Sequence, residues 1–273
     1  MEIIMCTTCG TQYNSCSIPE KCLICNDERQ YINPDGQSWT TLKRMVQQGD
    51  YKNSITFEES GLYSIKTIPK FAIGQTAYII HQNNFRLLWD CISYLDKATI
   101  QEIKEMGGLN AIALSHPHYY SSQVEWAETF DIPIYIHMDD RSWVMRPSDQ
   151  IIFWSGESIE VYPGLTLYRL GGHFKGASVL EWKDGNEGKG VLLTGDVIQV
   201  VADNQWVSFM YSYPNLIPLP AAKVEKIAAI TSQLSFDRLY NAFHGIIKEQ
   251  GKLRVQQSAA RYISALNGSL FDT

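Results

Sequence analysis

The chain has 273 residues, 45% apolar and 19% charged, a length and composition that suit a globular protein with a full core and exclude a disordered or fibrous one. Its 23 basic residues stand against 29 acidic ones, a formal net charge of -6, and no Lys/Arg run exceeds two residues, so it lacks the basic footprint of a protein that wraps nucleic-acid phosphates. Its apolar runs are too short to span a bilayer, and Met1-Glu2-Ile3-Ile4-Met5 has neither the basic start nor the apolar stretch of a signal peptide; the expected location is the cytoplasm, where thiols stay reduced.

Five of the six cysteines fall before residue 26, which marks residues 1–32 as a separate small module. Asn33-Pro34-Asp35-Gly36 is a strong turn signal. The segment from Ser38 to about Gln48 reads as a short helix and the polar stretch Gln47 to Glu59 as a linker, so residues 33–60 join the module to a larger domain over 61–273. That domain opens on strand-like segments at Leu62 to Ile68, Gln75 to Ile80 and Phe85 to Trp89, rich in β-branched and aromatic residues. Thr99 to Met106 reads as a helix stopped by Gly107-Gly108. Short apolar strands at Ala111 to Leu114 and Ile134 to Ile136 each precede a helical pattern, near Ser122 to Phe130 and Asp139 to Met145. Further strands are predicted at Ser158 to Val161, Leu165 to Leu170, Ser178 to Trp182, Val191 to Leu193 and Arg238 to Phe243, with helices over Ala221 to Gln233 and Leu253 to Leu266. Two halves, each a run of strands with helices, predict a four-layer α/β arrangement with the sheets in the middle.

Cys6-x-x-Cys9 and Cys22-x-x-Cys25 are separated by twelve residues. Each pair can place two thiolates on one tight knuckle, and two knuckles supply four ligands for a tetrahedral zinc. A closed four-cysteine site leaves no position for substrate, so its role is structural. A thioredoxin-like redox pair is the alternative, disfavoured because no strand is read before either pair. Cys16 is a spare thiol, and Cys91, next to Asp90, reads as a core residue.

The histidines carry the second signal. The apolar strand Ala111-Ile112-Ala113-Leu114-Ser115 runs into His116-Pro117-His118, two imidazoles able to approach one metal from one side. His173 lies in the glycine turn Gly171-Gly172-His173-Phe174-Lys175-Gly176, Asp196 follows the strand Val191-Leu192-Leu193, and His244 follows Leu239 to Phe243. Metal-ligand residue types at strand ends and glycine turns converge on one sheet edge, where α/β proteins bind ligands. His81 and His137 read as a turn residue and a core edge.

The order of these residues resembles the metallo-β-lactamase superfamily, whose pattern is His-x-His-x-Asp-His, a His in a glycine turn, an Asp after a strand and a final His. By that resemblance His116, His118 and His173 bind the first metal, Asp196 is the carboxylate shared by two metals, and His244 is the last ligand of the second. Asp90 resembles the structural Asp that follows an early strand, and the cysteine module resembles the zinc-ribbon or rubredoxin-like extension of some family members. Where the family has Asp then His, this chain has Tyr120 then Ser121. Both missing groups bind the second metal, so a mononuclear centre is expected, held by His116, His118, His173 and Asp196.

Zinc in such a site lowers the pKa of bound water toward neutrality and polarises a carbonyl or phosphoryl oxygen. The expected activity is hydrolysis of a small-molecule ester, thioester, lactone or phosphoester by a metal-bound hydroxide, with His244 and Tyr120 as candidate proton-handling groups. Trp206, Phe209, Tyr211 and Tyr213 are candidates for a pocket wall. A non-catalytic metal-binding or ligand-sensing protein, or a mononuclear iron protein, remains open, since three imidazoles also suit iron. A nuclease is disfavoured by the acidic charge and the lack of room for a large inserted domain.

Overall fold

The computed structural model describes residues 3–14 and 18–271, so Cys16 lies outside the described residues. The chain divides into two compact units, Met1–Trp154 and Ser155–Thr273.

The first unit is built on a seven-stranded mixed sheet in the order Ile151–Trp154, Ile134–His137, Ala111–Ala113, Phe85–Trp89, Ala77–Gln82, Leu62–Ile68, Lys52–Glu59. The first three of these strands run parallel with Phe85–Trp89, and the remaining pairs are antiparallel. Every residue of Ala111–Ala113 is buried, as expected of a parallel strand covered on both faces. Ala77–Gln82 and Phe85–Trp89 form a hairpin closed by Asn83-Asn84, with Asn83 at φ 54°, a conformation asparagine tolerates better than most residues. The core packs Ile79, Leu88, Ile112, Ile134 and Ile136 of the sheet against Ile103 of the helix Lys97–Glu105 and Val124, Trp126 and Ala127 of the helix Gln123–Phe130.

Two expectations need correction here. Lys52–Glu59 is not linker but the outer strand of the sheet, paired with Leu62–Ile68 through a bulge between Phe57 and Glu59. It reads as polar because an edge strand leaves many side chains in water. Residues 39–41 are likewise a strand, Trp39–Thr41, and the helix begins only at Leu42, where the Thr41 hydroxyl caps Arg44 N.

The cysteine module belongs to the first unit and has its own antiparallel sheet, ordered Gln12–Tyr13, Ile4–Cys6, Trp39–Thr41. Cys6 therefore ends a strand, contrary to the reading in which none precedes the first pair. Met5 of this sheet packs with Met45 and Tyr94 into a small second core.

The second unit carries a six-stranded sheet ordered Ser158–Tyr162, Leu165–Arg169, Ser178–Trp182, Val191–Leu193, Arg238–Tyr240, Ile246–Ile247. All neighbours are antiparallel except Val191–Leu193 with Arg238–Tyr240. The helices Ala221–Gln233 and Gly251–Leu266 pack on each other. Among the described residues no helix is long and apolar enough to cross a membrane.

The helix Lys97–Glu105 starts where Asp96 Oδ1 accepts from Thr99 N at 2.8 Å and from Thr99 Oγ1 at 2.6 Å. Removing such a cap costs about 1 kcal/mol, so Asp96→Ala should lower unfolding stability by that amount in urea titration while leaving metal content intact.

Candidate metal centres

In the first centre, Cys6, Cys9, Cys22 and Cys25 present four sulfur atoms within 4.8 Å of one another. Cys6 Sγ lies 3.6 Å from Cys25 Sγ and Cys9 Sγ 3.5 Å from Cys22 Sγ, far longer than a disulfide. A tetrahedral zinc with Zn–S bonds of about 2.3 Å spaces its sulfurs by about 3.8 Å. The donor set and spacing therefore fit a closed tetrahedral site. Thr8 N and Gln37 Nε2 donate to Cys6 Sγ at 3.3 and 3.2 Å, and Tyr13 Oη donates to Cys22 Sγ at 3.2 Å. Such donors favour thiolate. Hydrogen bonds from the neighbouring thiols, Cys22 first, hold Cys6 well below its ordinary pKa, whereas burial pushes Cys9 up.

In the second group, one ligand atom from each of His116, His118, His173 and Asp196 lies within 4.8 Å of the others, and all four residues are buried. Three imidazoles and a carboxylate suit zinc and other first-row divalent ions.

Local structure explains each position. Asp90, at φ 60° just beyond the strand Phe85–Trp89, donates its N–H to Ala113 O at 2.9 Å and accepts from Ser115 N on Oδ1 at 2.8 Å. This buried carboxylate fixes the chain one residue before His116. Ser115 Oγ hydrogen-bonds His116 Nδ1 at 2.9 Å, and the 3-10 turn Pro117–Tyr119 brings the rings of His116 and His118 to 5.0 Å. His173 Nδ1 donates to the Tyr211 carbonyl at 2.9 Å, which places the lone pair of the neutral ring on Nε2, the state a ligand needs. Tyr213 Oη donates to Asp196 O at 2.9 Å, and its ring lies 5.7 Å from that of His173.

The four aromatic pocket candidates therefore divide. Tyr211 and Tyr213 support His173 and Asp196. Trp206 lies under the Arg261 guanidinium, 4.4 Å from its ring centroid, and lines a cavity with Ser208, Ser258 and Tyr262, whereas Phe209 packs edge-on to Tyr262 at 5.6 Å. His244 is outside the four-ligand group. It is half-buried at φ 59°, in a turn where Asn241 Oδ1 accepts from Phe243 N and Gly245 N, and Ala242 N donates to Gly195 O. Tyr120 is packed in the core of the first unit, and burial holds its phenol well above its ordinary pKa. Ser115 and the Tyr211 carbonyl carried no sequence signal beyond adjacency to a histidine or an aromatic run. His137 is buried edge-on to Trp154 at 4.5 Å, and His81 is half-buried against Tyr63 at 5.2 Å.

Cys91 is fully buried, and burial pushes its thiol up. Thiol reagents attack thiolate, so Cys91 should be alkylated at neutral pH only after unfolding, as peptide mass spectrometry of native and denatured protein would show.

No family model matches the chain. It is 62% identical over 274 residues to the "Uncharacterized protein YmaE" of Bacillus subtilis (strain 168), a match covering 100% of both chains. Among solved structures it resembles the metallo-β-lactamase FIM-1 from Pseudomonas aeruginosa in a mono-zinc form, with a TM-score of 0.55 at 16% identity over 77% of this chain and 96% of that one. It also resembles the metallo-β-lactamase DIM-1, with a TM-score of 0.57 at 12% identity over 77% and 97%, and VMB-1, with 0.59 at 12% over 79% and 98%. The chain thus belongs to the family of Bacillus subtilis YmaE, and its fold is that of the metallo-β-lactamases.

Proposed function

We propose that the chain is a metal-dependent hydrolase of a small-molecule ester, thioester, lactone or phosphoester, working at one zinc ion held by His116, His118, His173 and Asp196. The observation that carries this reading is the gathering of those four ligand atoms within 4.8 Å. Zinc bound there supplies a nucleophile at neutral pH and Lewis-acid polarisation of the substrate oxygen.

The residues around the group support one ion rather than two. The positions that follow His-x-His are otherwise engaged, Tyr120 in core packing and Ser121 in a 2.6 Å hydrogen bond with Ser93. The mono-zinc form of FIM-1 has the same fold. Ser115 and the Tyr211 carbonyl orient their imidazoles, and Asp90 holds the strand end from which His116 projects. Ala242 N, bonded to Gly195 O, sets the His244 turn beside Asp196, so His244 is assigned to proton transfer to the leaving group. The cysteine cluster holds a second, structural zinc.

The test combines metal analysis with a panel of esters, thioesters, lactones, phosphoesters and a β-lactam. The wild type should carry two zinc per chain. His116→Ala and His173→Ala should each lose one of them and lower kcat/KM by about a thousandfold, the worth of several kcal/mol of transition-state stabilisation. Chelation should abolish turnover and added zinc restore it. Turnover that survives His116→Ala unchanged refutes the hydrolase reading, and full metal occupancy with no turnover on any substrate would favour a ligand-sensing protein.

A further inference from the structure

The cysteine module and the histidine loop meet through residues that neither metal group uses. Gly10 directly follows Cys9 and sits at φ 78°, and a Cβ there would lie 1.8 Å from Ser93 Oγ and 3.1 Å from Ser121 Oγ. Only glycine combines that backbone conformation with so close an approach. Two residues on, Gln12 N donates to the Ser121 carbonyl at 3.1 Å. Ser121 itself is at φ 44°, its hydroxyl 2.6 Å from Ser93 Oγ and 3.5 Å from the Gly10 carbonyl. Ser122 Oγ donates to the carbonyls of Ile92 and Ser93 at 3.0 and 2.9 Å. Arg146 Nη1 donates to Gln12 Oε1 at 2.6 Å, and Asn14 N to Met145 O at 3.2 Å. Cys9, Thr11, Gln12, Ser93 and Ser121 are all buried, so these are interior contacts and not a surface graze.

The loop that carries His116 and His118 is thereby pinned at both ends. Asp90 holds Ser115 at its start, and the Cys9–Gln12 segment with Ser93 holds Ser121 at its end. Between them Tyr119 N donates to His116 O at 3.1 Å and Tyr120 N to Pro117 O at 3.3 Å. The Cys9–Gln12 segment takes its own shape from the cluster, since Cys9 is one of the four sulfurs and Gly10 N donates to Cys6 O at 2.9 Å. A four-cysteine module of this size draws its order from its metal.

We propose that the metal-loaded cysteine cluster is the brace of the histidine loop: through Gly10, Gln12 and Ser121 it holds His116 and His118 in ligating geometry, so that filling the cysteine centre raises metal affinity at the histidine centre. Gly10, Ser93 and Ser121 are positioning residues that touch neither metal. The coupling is reciprocal, because any free energy linking two binding sites acts equally in both directions. This inference rests on the reading that the histidine group binds a metal.

The test uses the full chain, with cobalt and zinc ions as probes. Thiolate-to-cobalt charge transfer reports the cysteine centre, ligand-field bands report the histidine centre, and chelator competition gives its zinc affinity. Gly10→Ala should keep the thiolate band yet weaken zinc at the histidine centre by roughly 10- to 100-fold, the loss typical of removing support behind a ligand. Cys22→Ser should lose the cysteine metal and weaken the histidine centre to a similar degree. In the wild type, stripping the cysteine metal should speed amide exchange across residues 116–122, a readout that needs no variant to fold. If Gly10→Ala and Cys22→Ser both leave the histidine affinity unchanged, or if exchange in the loop is indifferent to the cysteine metal, the coupling is refuted while the hydrolase reading stands. A wild-type protein that binds metal only through its cysteines overturns both.

Discussion

Polar groups buried away from water raise the free energy of the folded state unless something in the interior satisfies them, and this chain places an unusual set of them inside. Thiols, imidazoles and carboxylates are gathered in two tight groups, and each group is ringed by hydrogen bonds aimed at the ligand residues themselves. Backbone and side-chain N–H groups turn toward the cysteine sulfurs, a serine hydroxyl and a carbonyl fix the outer nitrogens of two imidazoles, and an aspartate ties down the chain just ahead of His116. The polypeptide between these points is shaped by what they require: left-handed turns at Asp90, Ser121 and His244, and apolar strands that end where the ligands begin.

The sheets supply the rigidity that such geometry needs. The central strands are buried over every residue, so the ligand-bearing loops leave a fixed framework, and small side chains of the wrong hydrogen-bonding type would leave a ligand misaimed rather than merely loosened. The two sheets reach this result differently. In the first unit the ligands follow one strand closely as a pair. In the second they sit in a glycine turn and after a strand, and the run Met210–Ser212 lends a carbonyl from behind.

Much of the fold and of the candidate site was legible in the sequence. The helix Lys97–Glu105 carries an ordinary start at Asp96 and a stop at Gly107-Gly108, and the strands that bear ligands are short apolar runs bounded by glycine or polar turns. His116, His118, His173 and Asp196 stood out because imidazoles and carboxylates at strand ends form a pattern independent of the strands' exact limits. Lys52–Glu59 did not stand out, since an edge strand with exposed Lys52, Thr56 and Phe57 lacks the apolar alternation by which half-buried strands are recognised. The division of labour among Trp206, Phe209, Tyr211 and Tyr213 was equally invisible, because adjacent aromatics in an irregular run face different neighbours and no periodicity records which. The contact between Gly10 and Ser121 joins positions 111 residues apart, and nothing local to either residue announces the other.

Position 121 also shows how two designs exclude each other. The side chain there lies wedged between Ser93 and the Gly10 backbone, 4% exposed and at a positive φ. An imidazole at that point would have no volume to occupy unless the N-terminal sheet withdrew. The seat of the cysteine module and the size of the side chain at 121 are thus linked by simple crowding: a residue much larger than serine there fits only if Gly10 and Ser93 give way.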